Sequence, residues 1–241
     1  FKDIRTINET RNIKFPDWYC PSRVKKGDKT NEVINRGILY SSDFYTPRNL
    51  HLILNIIERI KNNINNPLMF ALSALNRTLS KLEIYRPEKK TAAKGTFNHL
   101  YFPSLSFEGN VFLEIGRKLR AILKVYTNYS NFKGNIRTST QSSTKLINLT
   151  RNSIDYIFTD PPFGSNIMYS ELNFLRESFL NVYSNNKDEA IINKAQGKKI
   201  VDYQHLMEHS FREFYRILKP NRWITIEFHN SKNSVWNAIQ E

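Results

Sequence analysis

At 241 residues, 40% of them hydrophobic, the chain is long enough for one large domain or two small ones with a real core. No apolar run approaches the ~18 residues of a membrane span, and Cys20, standing alone, leaves no disulfide framework and no Cys-based zinc site within these residues. The formal net charge of +14 is one-sided: residues 1–151 hold 26 Lys/Arg against 11 Asp/Glu, whereas residues 152–241 hold 10 against 11.

A basic first part followed by a neutral second part suits a polyanionic substrate. A Lys- and Asn-rich background composition is the competing explanation of the charge, but it does not produce the asymmetry. The chain opens on Phe1 and closes on Gln240-Glu241 within a helical pattern, so both ends read as cut. No signal-peptide pattern is present, and a cytoplasmic location without membrane contact is expected.

The pattern divides the chain into residues 1–35, 36–130 and 131–241. The first part is polar and irregular, with Phe15-Pro16-Asp17-Trp18-Tyr19-Cys20-Pro21 as a docked loop and Arg23, Lys25, Lys26 and Lys29 as a basic patch around Gly27. Such a patch is either a solvated loop or a phosphate contact. The second part is basic and mainly helical. Thr46-Pro47 supplies an N-cap and a first-turn proline for a helix over 47–66. Leu68, Leu72, Leu75, Leu79 and Leu82 form one stripe of a helix over 68–84, and Ile115, Leu119, Ile122 and Tyr126 mark a third over 110–127. These stripes are core packing. The stretch from Arg86 to Thr96 is basic and carries breakers. Its Lys89, Lys90 and Lys94 are candidate nucleic-acid contacts, with a plain surface loop as the other reading. Thr96–Phe107 is expected to form a short strand pair.

In the third part Asn135–Ser139 is expected to be a short strand. Ile154–Thr159 is a strand, apolar as in a sheet covered on both faces. A helix follows over Glu171–Val182, then a polar segment Asn185–Lys199, then an amphipathic helix over Asp202–Leu218. Leu218-Lys219-Pro220-Asn221-Arg222 breaks that helix, and Trp223–Phe228 reads as a strand with Trp223 in the core. Strand, helix, helix, strand makes an α/β unit with a parallel sheet. His205 and His209 stand four apart on a helix. With no acidic residue in a His-Glu-x-x-His arrangement they read as surface residues, and no metal site is expected.

The residues that carry chemistry are Asp160-Pro161-Pro162-Phe163, directly after the strand. That position is the carboxyl end of a strand, where open α/β sheets bind ligands. An exocyclic amine on a nucleobase is a poor nucleophile, because its lone pair is delocalised into the ring. The Asp160 carboxylate and the Pro161 carbonyl can each accept one N–H. That draws the nitrogen toward tetrahedral geometry and favours the positive charge that develops as it attacks a methyl donor. The two prolines stiffen the turn and remove backbone donors, and Phe163 offers a face for an extruded base. The plainer reading is a Pro-Pro turn that closes a strand, with Phe163 in the core. Beyond the motif, Gly164, Asn166, Tyr169 and Glu171 are candidate base-pocket residues. Glu171 equally serves to cap the next helix, and Tyr169 to pack in the core.

Ser153–Gly164 resembles the catalytic motif of S-adenosylmethionine-dependent DNA amino-methyltransferases. Arg216–Trp223 resembles the helix-to-strand junction common in that fold, and Thr46–Leu50 and Gly164–Glu171 also look like bacterial adenine-specific DNA methylases. The resemblance spans about residues 36–241, and only the Asp-Pro-Pro-Phe motif is specific. It implies an α/β, Rossmann-like class I methyltransferase sheet, here partial, with a basic helical upstream region. It also implies S-adenosylmethionine as donor and N6 of adenine or N4 of cytosine in DNA as acceptor, with subunits of a restriction or defence system as partners. Carried over by position, Asp160 and Pro161 hold the amine, Pro162 stiffens the turn and Phe163 stacks on the base.

Two departures qualify it. None of the eight glycines forms a Gly-x-Gly cofactor loop; that loop is expected upstream of Phe1. Around Ser139–Leu146, relatives carry Gly and an acidic residue near the cofactor's adenine, whereas this chain has Gln141 and Lys145. Gln141 and Ser142 are the candidate cofactor contacts that remain. An RNA guanine-N2 methyltransferase is the alternative with the same chemistry. A catalytically inactive nucleic-acid-binding protein is the alternative of another class.

Overall fold

The structure, a computed structural model, describes residues 15–63, 66–92 and 100–240. It is mixed α/β: among these residues there are seven α-helices, a two-stranded antiparallel sheet and a two-stranded parallel sheet. No helix among them is long and apolar enough to cross a membrane. The chain divides into two compact units. One comprises residues up to Lys25, Thr30–Asn135 and Asn173–Val182; the other comprises Lys26–Lys29, Ile136–Leu172 and Tyr183–Glu241.

The first unit is helical. It contains α1 (Thr30–Asn35), α2 (Pro47–Ile60), α3 (Pro67–Leu75), α4 (Val111–Asn128) and a small hairpin of β1 (Tyr85–Arg86) with β2 (Thr91–Ala92). Thr46 caps α2 by accepting from the Asn49 N–H, with Pro47 in the first turn as expected. This helix stops at Ile60 rather than continuing to residue 66. Asn66 is held extended before Pro67 and instead caps α3. In turn α3 ends at Leu75, short of residue 84, yet Leu79 and Leu82 remain buried through a run of turns. The leucine stripe was therefore a guide to burial but not to helix length. Asn49 explains part of this: fully buried, it donates to the carbonyls of Leu79 and Gly109 at 3.2 and 2.9 Å. Those two bonds hold an irregular backbone on the α2 face, where a helix would have satisfied its own carbonyls. The core gathers Phe44, Ile53, Leu54, Ile57, Leu72 and Val111.

The hairpin begins at Tyr85 and otherwise lies inside the Arg86–Thr96 stretch expected to be a loop, with its tip at Lys89 and at Lys90, which has φ near +49°. Lys94 and the start of the expected Thr96–Phe107 strand pair lie outside the described residues. The end of that stretch does pair, through the Ile84–Ser106 bridge.

The second unit is built on β3 (Ile154–Thr159) and β4 (Leu218–Ile226), which are parallel. Between them come α5 (Tyr169–Leu180), which leads from this unit into the first, and α6 (Ile200–Ile217); α7 (Asn233–Gln240) follows β4. No strand forms at 135–139. β4 begins directly at Leu218 rather than at Trp223. The expected breaker is a bulge within the strand, between the Ile154–Leu218 and Tyr156–Trp223 pairs. Asn221 takes a left-handed φ of 59° there, which asparagine tolerates. Lys219 and Arg222 from the bulge both reach the Asp155 carboxylate, at 2.8 and 3.3 Å.

The sheet is not covered on both faces among the described residues. Tyr156 is 55% exposed, Phe158 59% and Trp223 79%, so Trp223 is not a core residue. The core of this unit lies elsewhere, on α6 and α7, where Tyr203, Met207, Val235 and Ala238 pack with Phe228, Phe211 and Ile192.

Candidate active site

Strand β3 ends at Thr159, whose carbonyl accepts the Glu227 N–H at 2.9 Å and so completes the ladder. The next five residues, Asp160 to Gly164, form a loop secured from three directions. The Tyr203 hydroxyl on α6 donates to the Pro162 carbonyl at 2.7 Å. Asn230 Nδ2, in the segment after β4, donates to the Phe163 carbonyl at 2.9 Å. The Ile192 N–H donates to the Gly164 carbonyl at 3.1 Å. Asn230 is itself oriented: its carbonyl accepts Trp236 Nε1 at 2.7 Å, and its side-chain oxygen accepts the Lys232 N–H at 2.8 Å.

Gly164 has φ near +68°, and a Cβ there would stand 3.2 Å from Val235 and 3.4 Å from Asn230. Both the backbone conformation and the tight packing require glycine at this position. Phe163 packs edge-on against Phe228, with centroids 5.3 Å apart, and Phe228 packs the same way on Trp236 at 4.9 Å. The ring of Phe163 is half-buried in this aromatic row rather than presented as a free platform.

Asp160 and Pro161 are treated differently by the fold. No hydrogen bond or ion pair engages the Asp160 carboxylate or the Pro161 carbonyl among the described residues, and Asp160 is exposed. Three successive carbonyls anchor the loop, whereas the two acceptors before them have no partner among the described residues; Asp160 is exposed and Pro161 is buried. Tyr169, at the start of α5, lies close enough to respond to Asp160. Burial raises its hydroxyl pKa most, and the negative charges of Asp160 and then Glu189 add to the rise. Tyr203 is pushed up to about 12 by burial, opposed by a hydrogen bond from the Gly164 backbone. It therefore stays a neutral donor at physiological pH.

The remaining sequence candidates divide clearly. Asn166 is exposed in the turn before α5. Glu171 accepts from the backbone N–H groups of Asp28 and Lys29, at 3.1 and 2.6 Å, and from Asn193 Nδ2 at 3.0 Å. Sequence reasoning missed this tie, which spans more than 140 positions. The polar segment 185–199 is also tied down: Ile191 and Asn193 are fully buried. Gln141 is exposed, and the Ser142 hydroxyl closes a local turn with Thr144 at 2.8 Å. Their segment runs along α6, where Leu146 N–H donates to Glu213 at 2.7 Å and Arg216 reaches the Leu146 and Leu149 carbonyls. Lys89 and Lys90 belong to the first unit, not to the unit that carries Asp160.

Comparison with protein-family models, with curated proteins and with solved structures found no match to this chain.

Proposed function

We propose that the protein transfers a methyl group from S-adenosylmethionine to an exocyclic amine of a DNA base, N6 of adenine ahead of N4 of cytosine. On this reading the second unit is part of a Rossmann-like class I methyltransferase sheet, and the chain resembles the adenine-specific DNA methylases. The observation that carries the reading is the division of labour after β3. The carbonyls of Pro162, Phe163 and Gly164 are fixed by Tyr203, Asn230 and Ile192, while the exposed Asp160 carboxylate and the carbonyl of the buried Pro161 have no partner among the described residues. A turn that served only to close a strand would not need the three residues after those acceptors to be immobilised separately.

The chain's own contribution lies at the amine. The Asp160 carboxylate accepts one N–H and the Pro161 carbonyl the other, which pulls the nitrogen out of conjugation with the ring. Both acceptors interact more strongly with the cationic nitrogen that develops than with the neutral amine, so they lower the barrier and not merely the binding energy. Anchoring matters because the loop would otherwise have to reorganise during the reaction. The target base leaves its stack at a cost of a few kcal/mol.

The test is nucleoside mass spectrometry on DNA and RNA from cells expressing the protein or its Asp160→Ala variant. N6-methyladenine or N4-methylcytosine in DNA, absent with the variant, is the expected result. A methylated guanine in RNA would replace DNA by RNA as substrate. No new modified nucleoside would leave base binding without methyl transfer.

A further inference from the structure

Four residues, Lys26-Gly27-Asp28-Lys29, belong to the second unit, although the chain on both sides of them belongs to the first. What holds them is specific. The Glu171 carboxylate accepts both the Asp28 and the Lys29 N–H. Gly27 lies so close that a Cβ would stand 2.4–2.6 Å from the carboxylate atoms. The Asp28 carboxylate in turn accepts the Lys194 N–H at 3.3 Å. Asn193, fully buried, donates to Glu171 and to the Met168 sulfur, each at 3.0 Å, and its neighbour Ile192 donates to the Gly164 carbonyl. A continuous set of bonds therefore fixes this clip in register with the Asp160 loop.

The clip presents cations. Lys26 and Lys194 are exposed and Lys29 is partly so. Among the described residues none of the three ammonium groups has an ion-pair partner. Four other cations of the unit are engaged: Arg212 by Glu208, Arg216 by Glu213, and Lys219 and Arg222 by Asp155. Arg137, Lys145 and Arg151 are not paired among the described residues, but no bond ties them to the Asp160 loop. The Glu171 carboxylate is engaged by the Asp28 and Lys29 N–H groups and by Asn193 Nδ2, and Asp28 accepts the Lys194 N–H.

We propose that Lys26, Lys29 and Lys194 are a phosphate-binding clip that grips the DNA backbone beside the target base. Lysine binds phosphate as a point charge, and releasing condensed counterions favours the complex. The clip supplies affinity and register without reading sequence. Only the placement of the clip beside the target base rests on Asp160 as the amine-binding residue.

The test measures binding of a labelled random-sequence DNA duplex to the protein as a function of salt. Each phosphate contact contributes about 0.9 to the slope of log K against log salt. The combined Lys26→Gln, Lys29→Gln, Lys194→Gln variant is expected to lower the slope by about 2 to 3 with unchanged thermal unfolding. The corresponding three-arginine variant is expected to keep it. An equal-charge control, Arg137→Gln, Lys145→Gln, Arg151→Gln, is expected to change it less. An unchanged slope in the glutamine variant, an equal fall in the control, or a fall seen with duplex RNA but not DNA overturns the clip. A fall in slope from a protein that leaves no methylated nucleoside in cells upholds the clip as a DNA site and overturns the methyl-transfer reading instead.

Discussion

The Tyr203 hydroxyl donates to the Pro162 carbonyl at 2.7 Å, from a ring fully buried in the α6–α7 core. A residue that looks like simple core thus fixes the position of a loop 41 residues earlier in the chain. Tyr203→Phe keeps the ring and removes the bond. It is expected to cost about 1–2 kcal/mol, because the carbonyl loses its partner in a half-buried place. Urea unfolding monitored by tryptophan fluorescence measures this directly. If the loop is the catalytic element, methylation should fall by more than the loss of folded protein explains.

Alkaline pH tests the same residue. The pKa of Tyr203 is raised from 10.0 to about 12 in the folded chain. A raised folded pKa means that the stabilisation is complete below pH 10 and is lost as pH climbs toward 12. Buried Tyr45 is raised in the same direction. Thermal midpoints should therefore decline above pH 10, and Tyr203→Phe should make that decline shallower. An identical decline in both proteins would assign the effect to other groups.

Acid pH probes a different joint. Glu213 accepts from Arg216 and from the Leu146 N–H, and these bonds hold its pKa down to about 2 from 4.5. Because the folded value is depressed, its stabilisation is present above pH 4.5 and lost as pH falls through that value toward 2. Glu213→Gln should flatten the acid limb of a midpoint-against-pH curve while leaving the limb above pH 7 unaltered.

Asp160 separates chemistry from fold. It is exposed and makes no internal bond among the described residues, so Asp160→Asn should unfold at the same urea concentration as the parent. On the proposed reaction it loses the charge that the cationic amine needs. Turnover should drop about 100-fold or more, with little change in DNA affinity. Comparable losses in turnover and affinity would make Asp160 a binding residue only.

The sequence showed where chemistry could reside better than how it is supported. Ile154–Thr159 was legible as a strand because β-branched and aromatic residues fill a short run bounded by breakers. Its apolar code also implied cover on both faces, which Tyr156 and Phe158 do not have among the described residues. The start of α2 followed from Pro47 and its capping Thr46, and that of α3, within one residue, from the leucine stripe that opens at Leu68. Their ends did not, because Asn49 rewards an irregular path that no local propensity encodes. The Asp160 motif was visible as four letters. Its anchors, Tyr203 and Asn230, were not, since a tyrosine in an amphipathic stripe and an asparagine among many carry no sign of a distant carbonyl partner.

Gly27 is the most economical probe of the support behind the loop. Its φ is not in the left-handed region, so space alone demands glycine. The group that alanine would displace is the Glu171 carboxylate. Though the end of a flexible side chain, it is pinned by Asp28, Lys29 and Asn193 together. Gly27→Ala should therefore break at least one of those bonds, at about 1–3 kcal/mol for a forced rearrangement. It should free the clip without altering any charge. Hydrogen exchange at the Asp28 and Lys29 amides should rise in this variant and stay low in Lys26→Gln, which removes a charge but leaves the bonds intact. Equal protection in parent and Gly27→Ala would mean that Glu171 swings aside at no cost, and that the clip does not depend on it.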